Sequence, residues 1–146
     1  MTHLPPAQAR ADVHVTYHQI LVGEPGRDHP GTVPNGLTAS APGAAVIRTG
    51  IHTGVVDVTV RLAGTAQPPD PEGWEESEEV EFVTTTGVMR VQGVADEPID
   101  LTPQGAGRYG LRVHGRRRDR RTPSNQPSEV YLLVVWPVAL GAAAAG

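Results

Sequence analysis

The sequence predicts an all-β fold, a single antiparallel β-sandwich of about seven or eight strands, on three observations. Apolar and polar residues alternate with period two in one window after another. No window sustains helical periodicity, because Gly 17 and Pro 14 punctuate the chain too often. One segment, Val130–Trp136, is apolar on both faces, as a strand covered from two sides requires. A closed barrel is the alternative way to shield such strands. The chain has 146 residues, enough to bury most of its apolar surface without a metal or crosslink. One domain is expected over 11–139, with flexible termini at 1–10 and 140–146.

The elements follow in order. Over Ala11–Val22, Val13, Val15 and Tyr17 share one face, and Asp12, His14, Thr16 and His18 the other. The segment Gly23–Gly43, dense in Pro and Gly, predicts a long loop. Ala44–Arg48 is a short strand candidate. In Val55–Leu62, Val56, Val58, Val60 and Leu62 alternate with Asp57, Thr59 and Arg61, which is the pattern of a half-buried strand. Glu79–Thr86 is β-branched and contains Phe82, and Gly87 turns the chain into Val88–Val94. Tyr109, Leu111 and Val113 oppose Arg108, Arg112 and His114. Val130–Trp136 belongs at the centre of a sheet. Arg116–Pro127 reads as a charged hairpin loop.

Composition and motifs narrow the function. With Cys 0, disulfides, thiol nucleophiles and cysteine metal sites are excluded. No basic and apolar leader opens the chain and no apolar run reaches a membrane span, so a cytoplasmic protein away from membranes is expected. There is no phosphate-binding glycine loop, no zinc-protease helix motif and no nucleophile elbow. Asp12, His14 and His18 invite a metal, but on one extended strand His14 and His18 lie roughly 13 Å apart, too far to share an ion. His52, between Gly50 and Gly54, reads as a turn residue. No catalytic residue, cofactor or metal is therefore expected, and the protein is read as non-enzymatic. A ligand-binding or catalytic sandwich mouth using His52, His14 or the long loop is the alternative.

Charge is the most informative remaining feature. Asp70, Glu72, Glu75, Glu76, Glu78, Glu79 and Glu81 crowd around Trp74, while Arg108, Arg112, Arg116, Arg117, Arg118, Arg120 and Arg121 form a second block. The net charge of -4 conceals both. Carboxylates around a large aromatic can imitate a polyanion on a basic partner surface, with Trp74 as anchor. The plain alternative is an acidic loop entering a strand, with Trp74 tucked against the sandwich edge. The arginines suit phosphate, yet the acidic balance and the lack of aromatics among them count against direct nucleic-acid binding. They could instead pair with the acidic block, within the fold or in a homodimer.

Val15-Thr-Tyr-His-Gln-Ile-Leu-Val22 resembles the opening strand of the competence protein J family. Val80–Val88 resembles that family's paired mid-chain strands around a turn glycine, Gly107-Arg-Tyr-Gly-Leu its G-x-Y strand opening, and Glu129-Val-Tyr-Leu-Leu its closing strand. The chain is also similar to a broader group of small bacterial proteins with a T-G-x-H-T-G turn (Thr49–Gly54) and a closing Trp136-Pro137. The resemblance implies a small all-β inhibitor of a DNA-entry nuclease. The expectation is thus a protein-binding module whose partner is a nuclease, met by Trp74, Glu75, Glu76, Glu78 and Glu79. Tyr17, His18 and Gln19 are expected to be structural or to join the same surface. A structural or self-associating sandwich is the alternative.

Overall fold

Alternation along the strands becomes two layers in the computed structural model, which describes residues 7–66, 73–94, 98–117 and 129–138. Among the described residues nine strands follow in chain order: β1 (Ala7–Val15), β2 (Gln19–Gly23), β3 (Thr38–Ala41), β4 (Ala44–Arg48), β5 (Gly54–Leu62), β6 (Glu76–Thr84), β7 (Arg90–Val91), β8 (Gly107–Arg116) and β9 (Val130–Pro137). They form a five-stranded sheet ordered β1-β5-β9-β8-β6 and a four-stranded sheet ordered β3-β4-β2-β7. Among the described residues there is no helix, and so none long and apolar enough to cross a membrane. The all-β sandwich is the observed fold.

The core is the set of inward positions that the alternation marks. Val13 and Val15 of β1, Val56, Val58 and Val60 of β5, Tyr131, Leu133 and Val135 of β9, and Leu111 and Val113 of β8 form one wall. Ile20 and Val22 of β2, Ala45 and Ile47 of β4, and Leu37, Met89, Val91 and Leu101 form the other. Phe82 and Tyr109, directly opposite on β6 and β8, stack with centroids 5.5 Å apart. β9 is the middle strand of its sheet, and its outward Leu132, Val134 and Trp136 are buried as well. The register sets Gly110 beside Trp136, where a Cβ on residue 110 would fall 2.3 Å from the indole. Glycine there is a requirement of packing.

Several expectations are corrected. The sandwich is not wholly antiparallel, since β5 and β9 run parallel. Ala11–Val22 is not one strand: it breaks at Tyr17 and His18, and β1 and β2 enter different sheets. Tyr17 consequently leaves the apolar face and is 74% exposed. Likewise β6 and β7 are no hairpin, because β6 pairs with β8 and β7 with β2. Residues 88–94 contribute only the two-residue β7, and the loop 23–43 contains β3, which its small residues had hidden. The barrel stops short of closure. Its edges touch through isolated bonds: Gly43 N–H to Val83 C=O at 2.8 Å and the Ser40 hydroxyl to Glu81 C=O at 2.5 Å on one side, and His14 N–H to Gly93 C=O at 3.0 Å on the other.

A buried carboxylate ties the layers. Glu24, just past β2, is 2% exposed. It accepts hydrogen bonds from the Thr84 hydroxyl, the Thr85 and Thr86 N–H groups at 3.1 Å, the Thr86 hydroxyl at 2.9 Å and Arg27 Nε at 2.7 Å. Bonds from Thr84, then from Thr86 and Arg27, lower its pKa from 4.5 to about 2 against the opposing effect of burial. Its folded pKa lies below its unfolded one. The ionised group therefore stabilises the fold in full above about pH 4.5 and loses that contribution as pH falls toward 2. Urea titrations should show the midpoint falling across this window, and Glu24→Gln should lower the neutral-pH midpoint and flatten the slope. A Glu24→Gln protein that keeps the wild-type acid slope would rule out this carboxylate as its source.

Candidate functional site

The turn between β1 and β2 is built from residues that do not favour it. Tyr17 and His18 have φ of 54° and 61°, the left-handed conformation that two-residue hairpins fill with Asn-Gly. The surroundings over-determine it. Gln19 N–H donates to Thr16 C=O at 3.1 Å, His18 N–H to His52 C=O at 3.0 Å, and Thr49 N–H to His18 C=O at 2.8 Å. His18 Nδ1 lies 3.1 Å from the Thr49 carbonyl, which can only accept, so Nδ1 carries the proton. His52 packs edge-on against both rings, 5.4 Å from Tyr17 and 5.0 Å from His18. The result is a strained backbone held firmly in place with an exposed tyrosine at its tip.

Support comes from beneath. Glu129, 1% exposed, accepts from Gly50 N–H at 2.8 Å and from the Tyr131 hydroxyl at 2.7 Å. Gly50 belongs to the loop that grips His18, so a buried carboxylate fixes the turn from the sheet centre. Sequence reading missed this role, although a glutamate flush against the doubly buried run at Val130 was its signal.

The acidic and basic blocks meet within the fold. Glu79 stands opposite Arg112 across β6 and β8, with Oε1 at 2.7 Å from Nη2. Arg108 and Glu81 approach to 3.8 Å, and Glu75 Oε1 accepts from Arg117 N–H at 2.5 Å. Trp74 is half-buried, with the Arg116 guanidinium 4.7 Å from its ring centroid and the His114 ring at 5.5 Å. Glu75, Glu76 and Glu78 are exposed at the head of β6. Asp70, Glu72, Arg118, Arg120 and Arg121 lie outside the described residues, as does most of the hairpin loop 116–127.

Register shows where these groups sit. Val15 faces Gly54, Asp57 faces Val130, Val130 faces Arg116, and Gly115 faces Glu76. Tyr17, His18 and Gln19 therefore share one end of the sandwich with Trp74, Glu75 and Glu76. They stand at opposite edges of the five-stranded sheet, four strand spacings or roughly 19 Å apart across it. The ladder sets Glu76 level with Ala11, so Tyr17 lies a further six residues, roughly 20 Å, along the strands. The structure brings the two sets to one end without bringing them into contact. Asp12, His14 and His18 do not converge, and among the described residues no three His, Cys, Asp or Glu side chains are placed to hold a metal.

No protein-family model matches the chain, and no curated protein matches it. Two solved structures do. The chain is similar to ComJ from Bacillus subtilis, an inhibitor of the DNA-degrading activity of NucA, with a TM-score of 0.64 and 15% identity over 92% of this chain and 100% of that one. It is also similar to crocagin biosynthetic gene J, with a TM-score of 0.53 and 15% identity over 90% and 98% of the two chains. The shared property is the fold: this chain has a ComJ-like architecture.

If the turn is held at a cost in stability, relieving it should be measurable. Tyr17→Asn, which suits the left-handed region and removes no buried contact, should raise stability by about 0.5–1 kcal/mol in chemical denaturation. A loss of stability would mean that the tyrosine ring is part of the packing.

Proposed function

We propose that this chain is a protein-binding inhibitor of a nuclease, acting in the cytoplasm by occlusion and without chemistry of its own. The observation that carries the reading is the exposed Tyr17 on a rigid, strained turn, in a fold shared with a nuclease inhibitor. A rigid aromatic loses little freedom on docking and is a frequent binding anchor. Tyr17, His18 and Gln19 would enter the partner's cleft. Glu75, Glu76 and Glu78, exposed at the same end, would face the basic surface that a nuclease needs to hold phosphates. Trp74 and Glu79, held by Arg116 and Arg112, would form the rim between these groups and the sheet.

Self-association through the charge blocks is the weaker reading, because Glu79 and Glu81 already have arginine partners within the chain.

Affinity capture from lysate of the source cells tests the proposal. The wild-type chain should retain a nuclease and suppress its DNA degradation. Tyr17→Ala should weaken the complex by about 2 kcal/mol, on the order of 30-fold. Reversing Glu75, Glu76 and Glu78 to Lys should slow association about tenfold at low salt and much less at high salt. If no nuclease is retained, or if both variants inhibit as wild type does, the proposal is wrong.

A further inference from the structure

The outer face of the five-stranded sheet carries a second feature, away from the Tyr17 turn. Cross-strand register places Arg10 beside Thr59, Thr59 beside Leu132, and Arg116 beside Val130. Over these residues, with Trp74 as one wall, opens a groove of about 340 Å³ lined by Arg10, Arg61, Arg116, Asp57 and Leu132 among others. Three arginines from three strands face one aspartate there, a local excess of positive charge in a chain of net charge -4.

The hydrogen bonds leave donors unspent. Asp57 engages Arg10 through Nε, at 2.9 and 3.1 Å, and through Nη2. Arg10 Nη1 takes no part. Arg61 uses Nε alone, on Gln8 Oε1 at 3.2 Å. Arg116 Nε is buried with no hydrogen-bond partner among the described residues, while its guanidinium lies over Trp74. The buried Arg116 Nε is costly without an acceptor. The more exposed guanidinium edges of Arg10 and Arg61 add free donors at the mouth of the groove, a set suited to an oxyanion. Guanidinium forks match phosphate oxygens in particular. The rest of the lining is mixed: Gln8 and Thr59 are polar, while Val130, Leu132 and the Trp74 indole give an apolar side. Such surfaces accept the face of a ring. The volume is at the small end for ligand pockets and suits one nucleotide unit.

We propose that this groove binds a nucleoside monophosphate, its phosphate between Arg10 and Arg61 and its base against Leu132 and Trp74. Asp57 holds Arg10 in place and leaves its outer nitrogen for the ligand. The site shares Trp74 and Arg116 with the rim of the proposed protein surface but takes nothing from the Tyr17 turn, and Arg61, which belongs to neither, tests it separately.

Adenosine 5′-monophosphate titrated into the full chain, followed by calorimetry and tryptophan fluorescence, tests this. Saturable binding with a change in tryptophan emission is expected, and adenosine or inorganic phosphate alone should bind at least about tenfold more weakly. Arg61→Glu should weaken the nucleotide at least about tenfold, and Arg61→Gln by less, with thermal midpoints within about 2 °C of wild type. Absence of saturable binding at millimolar nucleotide overturns the proposal. So does an affinity that Arg61→Glu leaves unchanged, or phosphate binding as tightly as the nucleotide.

Discussion

Burying a carboxylate is the constraint around which the two sheets are joined. Glu24 gives up its water at the end of β2 and can remain ionised only if protein donors replace it. Those donors come mainly from Thr84, Thr85 and Thr86, at the point where the chain leaves β6 in one sheet for β7 in the other. The crossing is thereby fixed in both position and direction. Gly43 N–H reaches Val83 beside it, and Glu24 N–H reaches Gly43 C=O at 2.9 Å, so the β3–β4 turn is tied to the same knot. Breaking this node would free a sheet edge and strand a charge at once.

The sequence discloses most where one physical effect dominates. β5 is legible because every second residue from Val56 to Leu62 is apolar, and β9 because both of its faces must be covered. Strand pairing is less legible, since nothing local distinguishes a parallel neighbour from an antiparallel one, and β5 and β9 are parallel. The Tyr17 turn is hidden for a sharper reason. Tyr-His lacks the Asn-Gly chemistry that marks a two-residue hairpin, and the alternation in the sequence runs straight through it. The fault lies at the position where local preference and tertiary structure disagree, and such disagreement collects at surfaces under functional selection. Arg10, Asp57 and Arg61 gave no sign at all, because they occupy ordinary outward positions of ordinary strands.

Charge segregation along the chain has two physical meanings that sequence cannot separate. Part of it is architecture: Glu79 and Arg112 are cross-strand partners, and opposite charges directly opposed support register. Part of it is protection of an edge. β6 is the last strand of its sheet, and glutamates along an edge discourage another strand from adding to it. The remainder, at the head of β6, is exposed. A block that looked like one acidic surface is therefore divided between pairing within the sheet and guarding its edge.

The absence of lysine acquires a structural reading from the same face. Leu132, Val134 and Trp136 are buried although they point away from the main core, in a second cluster against which Trp74 packs. What covers the tryptophans is arginine: Arg112 lies 5.2 Å from the Trp136 ring and Arg116 lies 4.7 Å from Trp74. A planar guanidinium can lie flat on an indole and still offer its edge to a carboxylate, as Arg112 does to Glu79. An ammonium is a more strongly hydrated point charge and cannot do both at once. With lysine at these positions the outer cluster would lose the flat half of its cover, and the third layer that arginine supplies to this two-layer fold would open to water.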